Sequence, residues 1–150
     1  MVHHPGACAV VALTPSGDVV LVRQFREAVR SWLLEIPAGI RDVTGESAAE
    51  CAARELLEET GYRAVTIAPL GSVLTSPGFA DERIDLFLAR TDEDPAEAPV
   101  EEGIEVVRWT FAEAVAAVGD GRIDDAKTIA ALMLAGGRLA ASSGSDSGTE

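Results

Sequence analysis

Glu55, Glu58 and Glu59 put three carboxylates within five residues, in the segment Arg54-Glu55-Leu56-Leu57-Glu58-Glu59-Thr60-Gly61-Tyr62. On a helix with about 3.6 residues per turn, positions i, i+3 and i+4 share one face. The carboxylates then crowd an arc of roughly 100°. Like charges so placed weaken a helix by about 0.2–0.5 kcal/mol per pair, so the arrangement calls for a neutralising partner. A hard cation such as Mg²⁺ meets that need, because it takes carboxylate and water ligands and bridges to substrate phosphates. A solvated acidic face is the bland reading of the same residues.

Gly39 and Glu46 lie upstream, and with them the segment resembles the Nudix box: Gly, five residues, Glu, seven residues, Arg-Glu-apolar-x-Glu-Glu-x-Gly-apolar. Two departures stand out. Six residues, Ile40 to Gly45, separate Gly39 from Glu46, one more than usual, and Tyr62 fills the final apolar position. The extra residue falls in a Gly- and Asp-containing loop, where insertions are tolerated.

The resemblance implies an α/β/α sandwich with a mixed sheet, and a divalent cation, Mg²⁺ or alternatively Mn²⁺. It implies that Glu55 and Glu59 are metal ligands, joined by the main-chain carbonyl of Ala38, with Glu58 at the edge as a ligand or through water. Arg54 belongs to the catalytic group through ion pairing, its fork holding carboxylates in fixed orientation. Bracing and catalysis both stand open for Glu46. Gly39 is expected to supply a backbone conformation closed to other residues.

Such a site polarises a phosphoryl oxygen, lowers the pKa of bound water and neutralises charge on the leaving phosphate. Hydrolysis of a pyrophosphate bond fits. The missing part is a base or further anchor from elsewhere in the chain. Glu101 and Glu102, in the acidic loop before Ile104-Glu105-Val106-Val107, are the candidates. Family members carry a glutamate from this loop into the site, and by position relative to the next strand Glu102 is the better match.

Patches outside the box resemble the ADP-ribose pyrophosphatase group. They are Val22-Arg23-Gln24-Phe25-Arg26, Leu34-Glu35-Ile36-Pro37-Ala38-Gly39, Ser76-Pro77-Gly78-Phe79 and Gly121-Arg122-Ile123-Asp124-Asp125-Ala126-Lys127-Thr128, with Pro77 fifteen residues beyond Tyr62. The resemblance implies ADP-ribose or related nucleoside diphosphate sugars as substrate, with AMP and ribose 5-phosphate as the products from ADP-ribose. Arg26 becomes the diphosphate clamp, since Arg grips phosphate oxygens bidentately. Glu82 and Pro77 are expected at the substrate, and Phe79 or Trp32 to stack on adenine or to serve as core. Members of this group usually carry a small N-terminal β-domain, whereas this chain starts almost at its first strand; a more open site, a broader substrate range and a homodimer are expected. Two readings compete: a housecleaning hydrolase of nucleoside triphosphates or other diphosphate compounds, and a non-catalytic ADP-ribose sensor. A basic DNA-binding module and lost box glutamates would mark the sensor, and neither is present.

At 150 residues the chain makes one domain with a real core. Its net charge of −13 argues against duplex nucleic acid, and an anionic substrate then needs a metal or a locally positive pocket. No apolar run suits a membrane span or a secretion signal, which points to the cytoplasm. Cys8 and Cys51 are far apart in sequence and read as buried small apolar residues in a reducing cytosol. His3 and His4 stand at an end expected to fray.

Strands are expected at 7–13, 19–25, 32–36, 65–75, 83–89 and 106–110, the first two as a hairpin around Thr14-Pro15-Ser16-Gly17-Asp18. Ser47 and Glu50 have capping-box spacing, so the main helix starts near Ser47 and ends at Gly61. Two helices follow at about 111–118 and 125–134. Residues 1–139 form the domain, and 140–150 read as a disordered polar tail.

Overall fold

The structure is a computed structural model that describes residues 1–144. Strand β1 (Ala7–Leu13) is buried along its whole length, and its alternating side chains feed two cores. Ala7, Ala9, Val11 and Leu13 face one, while Cys8, Val10 and Ala12 face the other. Helix α1 (Ala48–Thr60) covers the second face with Cys51, Ala52 and Leu56. Helices α2 (Phe111–Asp120) and α3 (Ala126–Gly144) cover the first. The result is the expected α/β/α sandwich.

The sheet is mixed. β1 runs parallel to β6 (Arg83–Arg90), which pairs antiparallel with β5 (Thr66–Leu74). β2 (Asp18–Arg26) meets β1 only at Leu13↔Val19 and then pairs with β3 (Ser31–Glu35), while β7 (Ile104–Thr110) pairs along its other edge. The expected hairpin is therefore a brief contact, after which the strands diverge. A short strand that the sequence pattern does not signal, β4 (Ala38–Ile40), pairs with β1 at Ala7–Ala9. The divergence of β1 and β2 leaves room for the β3–β4 turn, and that turn opens on the candidate site.

Helix α1 carries both expected caps. Ser47 and Glu50 form a reciprocal capping box, and Gly61 ends the helix at φ 78°. A Cβ on Gly61 would also stand 1.9 Å from the Glu97 carbonyl oxygen, so glycine is required twice over.

Two further expectations change. Helix α3 continues to Gly144, so residues 140–144 are helical rather than part of a disordered tail. Ala-rich sequence favours the helix, and the Ser143 hydroxyl donates back to the Leu139 carbonyl at 3.1 Å. Residues 145–150 lie outside the described part. Cys8 and Cys51, forty-three residues apart, are joined in a disulfide. Sequence distance hid the contact: Cys8 points from β1 toward α1, and Cys51 lies on the buried face of α1. No described helix is long and apolar enough to cross a membrane.

Candidate active site

Glu55, Glu59 and Glu101 bring carboxylate oxygens within 4.8 Å of one another. Glu55 and Glu59 come from α1. Glu101 comes from the loop before β7, and the way that loop is tied down explains its presence. The Glu58 carbonyl accepts the N–H groups of Val100 and Glu101 at 3.0 and 3.2 Å, and the Gly61 carbonyl accepts those of Ala96 and Glu97. These bonds satisfy carbonyls that a helix end leaves free. At the loop's start, Arg108 holds Glu93 and also reaches Asp18 at 3.0 Å. The acidic loop is thus docked rather than merely solvated. Glu102 is exposed and lies outside both the cluster and the site cavity. Of the two loop glutamates it is Glu101 that the docked loop brings to the cluster, a placement that spacing in the sequence does not reveal.

Glu59 is only 5 % exposed. Burial first, then the charges of Glu101 and Glu55, push its carboxyl up to about 8. Burial likewise raises Glu55, partly offset by Arg54. The Ala38 N–H donates to Glu59 at 3.3 Å, so the residue expected to offer its carbonyl contacts the cluster through its amide. Gly39 has a different reason from the one expected. It is not among the positive-φ glycines, but a Cβ there would fall 2.1 Å from the Glu55 carboxyl. Glycine lets that carboxylate lie directly over the β4 backbone.

Arg54 is the tie expected of it. Its Nε and Nη2 donate to both oxygens of Glu46 at 2.8 and 3.0 Å, while Nη1 reaches Glu55 at 3.0 Å and Glu58 at 3.2 Å. Glu46 therefore braces the loop to the helix. Glu58, 41 % exposed at its side chain, stands at the rim, outside the three-carboxylate cluster.

A cavity of about 510 Å³ opens beside the cluster and is lined by Glu59 and Glu101, by Arg26 and Lys127, and by Glu82 and His4 among others. Arg26 donates through Nε and Nη2 to Glu35 at 2.8 and 2.9 Å, leaving its Nη1 edge without a protein partner among the described bonds. Glu35 is buried, and Lys127 donates to it as well. Burial alone would raise the Glu35 carboxyl, but Arg26 and Lys127 hold it below the usual range. Asp125 accepts from Lys127 and caps α3 through the Thr128 amide at 3.1 Å, while the Thr128 hydroxyl accepts the Ile36 N–H at 2.9 Å. Lys127 lies in a patch that resembles the family, but no role follows from it in the sequence, since a lysine one residue inside a helix start is unremarked without its buried partner.

Glu82 lines this cavity. Pro77 and Phe79 do not: they line a separate hollow with Met1 and Leu74. The turn closed by the Phe79 N–H on the Ser76 carbonyl directs them away, and Phe79 is 64 % exposed. Trp32 packs edge-on against Phe25, with ring centroids 5.8 Å apart, also outside the cavity.

Known proteins share this fold. Residues 2–132 match the NUDIX domain family model. The chain belongs to the Nudix family. It is 41 % identical to an ADP-ribose pyrophosphatase of Bacillus subtilis (strain 168) over 136 residues, covering 89 % of this chain and 73 % of that protein. It is 39 % identical to a GDP-mannose pyrophosphatase of Yersinia enterocolitica over 140 residues, covering 87 % and 72 %. A solved structure described as an ADP compounds hydrolase superposes with a TM-score of 0.80 at 27 % identity, covering 91 % of this chain and 74 % of that one.

Proposed function

We propose that this Nudix domain hydrolyses the pyrophosphate bond of ADP-ribose, giving AMP and ribose 5-phosphate, or of related nucleoside diphosphate sugars. The observation that carries the reading is the Glu55–Glu59–Glu101 cluster, whose Glu59 and Glu101 line one cavity with Arg26. The similarity to an ADP-ribose pyrophosphatase and a GDP-mannose pyrophosphatase supports the substrate class.

The donor set fits a hard divalent cation. Three converging carboxylates, one of them pushed up to about 8 by burial and repulsion, form an all-oxygen site whose charge Arg54 offsets only in part. Glu55, Glu59 and Glu101 would hold Mg²⁺, or Mn²⁺ in its place, with the Ala38 carbonyl as a further ligand and Glu58 through water. Bound there, the cation supplies charge neutralisation on the phosphate and a lowered pKa for the attacking water.

The protein's own groups do the rest. Arg26 presents its free guanidinium edge to the diphosphate, held in orientation by buried Glu35. Arg54 fixes Glu55, through which the carboxylate geometry is kept before substrate arrives. Glu101 accepts the proton of the attacking water or anchors the cation, the part that position in the sequence offers first to Glu102. Glu82 faces the substrate from the cavity wall.

The test is turnover of a panel of ADP-ribose, other nucleoside diphosphate sugars, dinucleoside polyphosphates and nucleoside triphosphates. Preference for nucleoside diphosphate sugars is expected; preference for triphosphates would replace this reading with the housecleaning one. Homodimerisation belongs to the same reading on the strength of the family resemblance. Sedimentation of the 15.6 kDa chain at a single chain mass would remove it. A cytoplasmic site of action completes it, and recovery of the protein outside the cytosolic fraction of its cells would count against it.

A further inference from the structure

The amino-terminal segment is not frayed. Val2 forms a parallel bridge to Ala80, its N–H donating to the Phe79 carbonyl at 2.7 Å and its carbonyl accepting the Asp81 N–H at 3.1 Å. The His4 N–H donates to Asp81 at 2.8 Å, and His3 Nδ1 lies 2.8 Å from the same carboxylate. Residues 2–4 therefore clamp the loop between β5 and β6, the loop that ends in Glu82.

The His4 ring continues the clamp into the cavity. Its Nδ1 accepts the Gly6 N–H at 3.1 Å, which leaves the proton of the neutral ring on Nε2. That Nε2 lies 3.4 Å from Glu82 Oε1, while Glu82 Oε2 accepts the Thr75 hydroxyl at 2.7 Å. His4, Thr75, Ser76 and Glu82 all line the cavity. Glu82 is thus hydrogen-bonded by Thr75 on one side and approached by the His4 ring on the other, and a carboxylate has lone pairs to spare for further donors.

We propose that His4 is a positioning residue for the group beyond the diphosphate: it holds Glu82 so that the His4–Thr75–Ser76–Glu82 wall takes the hydroxyls of the substrate's terminal sugar. The inference rests on the proposed hydrolysis of nucleoside diphosphate sugars and adds a residue and a subsite to it. A carboxylate flanked by hydroxyls suits vicinal sugar hydroxyls, which donate and accept at once. Arg26 and the carboxylate cluster supply the groups for phosphate and cation, leaving this wall for the sugar.

The experiment is steady-state kinetics of ADP-ribose hydrolysis in Mg²⁺ by the full chain and by His4→Phe, His4→Gln, Glu82→Gln and the His4→Phe/Glu82→Gln double variant, with AMP inhibition measured for each. His4→Phe keeps the ring's bulk without its nitrogens; it should raise KM about 10-fold with kcat within about 3-fold. His4→Gln, which keeps a donor toward Glu82, should recover part of the loss. If His4 acts through Glu82, the double variant should be no worse than Glu82→Gln alone. AMP lacks the terminal sugar, so its inhibition constant should stay unchanged. A wild-type KM in His4→Phe overturns the inference, as does a double variant whose loss is the product of the single losses. An AMP constant that rises in step with KM also overturns it, since that marks general distortion of the site. Absence of wild-type turnover on any nucleoside diphosphate sugar would sink the functional reading itself, and this inference with it.

Discussion

The Glu58 carbonyl accepts the Glu101 N–H at 3.2 Å, so the helix that carries Glu55 and Glu59 also places the third carboxylate. Glu102 stands exposed in the turn that follows, so this bond brings Glu101 rather than Glu102 to the cluster. Glu101→Gln should lower kcat by about 10²-fold or more, the usual scale for a positioned acid–base group or metal anchor. Glu102→Gln should stay within about 3-fold of wild type. The reverse pattern in measured kcat would return the role to Glu102.

Glu59 links stability to pH in the metal-free protein. Its carboxyl is raised from an ordinary value of 4.5 to about 8 in the folded state. Between those values the folded protein binds the extra proton, so stability falls as pH rises through the window. The loss should amount to a few kcal/mol, on the order of 1.4 kcal/mol for each pH step of one across that window. Mg²⁺ should flatten the dependence, because binding stabilises the ionised form and releases the proton. Glu59→Gln should abolish turnover yet raise the metal-free melting temperature above pH 7. Melting curves with chelator and with Mg²⁺ decide this, and a metal-free stability that rises from pH 5 to 8 would contradict it.

Gly39→Ala places a methyl 2.1 Å from the Glu55 carboxyl. The carboxylate must move off the β4 backbone, so Mg²⁺ affinity should fall by about 10-fold or more, the scale seen when ligand geometry is disturbed. A Mg²⁺ titration of activity measures it; an unchanged midpoint would mean that Glu55 is not a ligand.

Arg26→Ala should raise KM at least about 10-fold with little change in kcat, because a diphosphate grip is made in ground state and transition state alike. It should also destabilise the fold by about 1–3 kcal/mol, since buried Glu35 loses its bidentate partner and keeps only Lys127. An unchanged KM would take Arg26 out of the phosphate site.

The Cys8–Cys51 disulfide closes a loop across forty-three residues. In the chain-entropy model such a loop is worth ~4 kcal/mol, and its reduction should lower the melting temperature by roughly 10 °C. Thiol titration of the unfolded protein with and without reductant checks the bond directly. Two free thiols without reductant would contradict it.

What the sequence makes legible here is local. Ser47, Glu50 and Gly61 bound α1 because caps are short-range chemistry, and the spacing of Glu55 and Glu59 places both on one side of a helix whose ends are known. Arg54 and Glu46 follow from the same box. What depends on docking between distant segments is not legible. β4 is only three residues long and exists through its pairing with β1. Glu101 is chosen by loop docking on α1, and Lys127 acquires meaning only beside buried Glu35. Phe79 fits an adenine stack by residue type, yet a tight turn points it elsewhere. The disulfide and the clamped amino terminus are likewise contacts between segments that composition treats as unrelated.

The most direct measurement is hydrolysis of ADP-ribose in ¹⁸O water by wild type and Glu59→Gln, with Mg²⁺ and with chelator, the products read by mass spectrometry. The expected result is AMP and ribose 5-phosphate, with a single ¹⁸O in one of them, formed only by wild type and only with the cation present. Turnover that survives chelation or Glu59→Gln would contradict the metal site, and no turnover of ADP-ribose or any nucleoside diphosphate sugar would contradict the function.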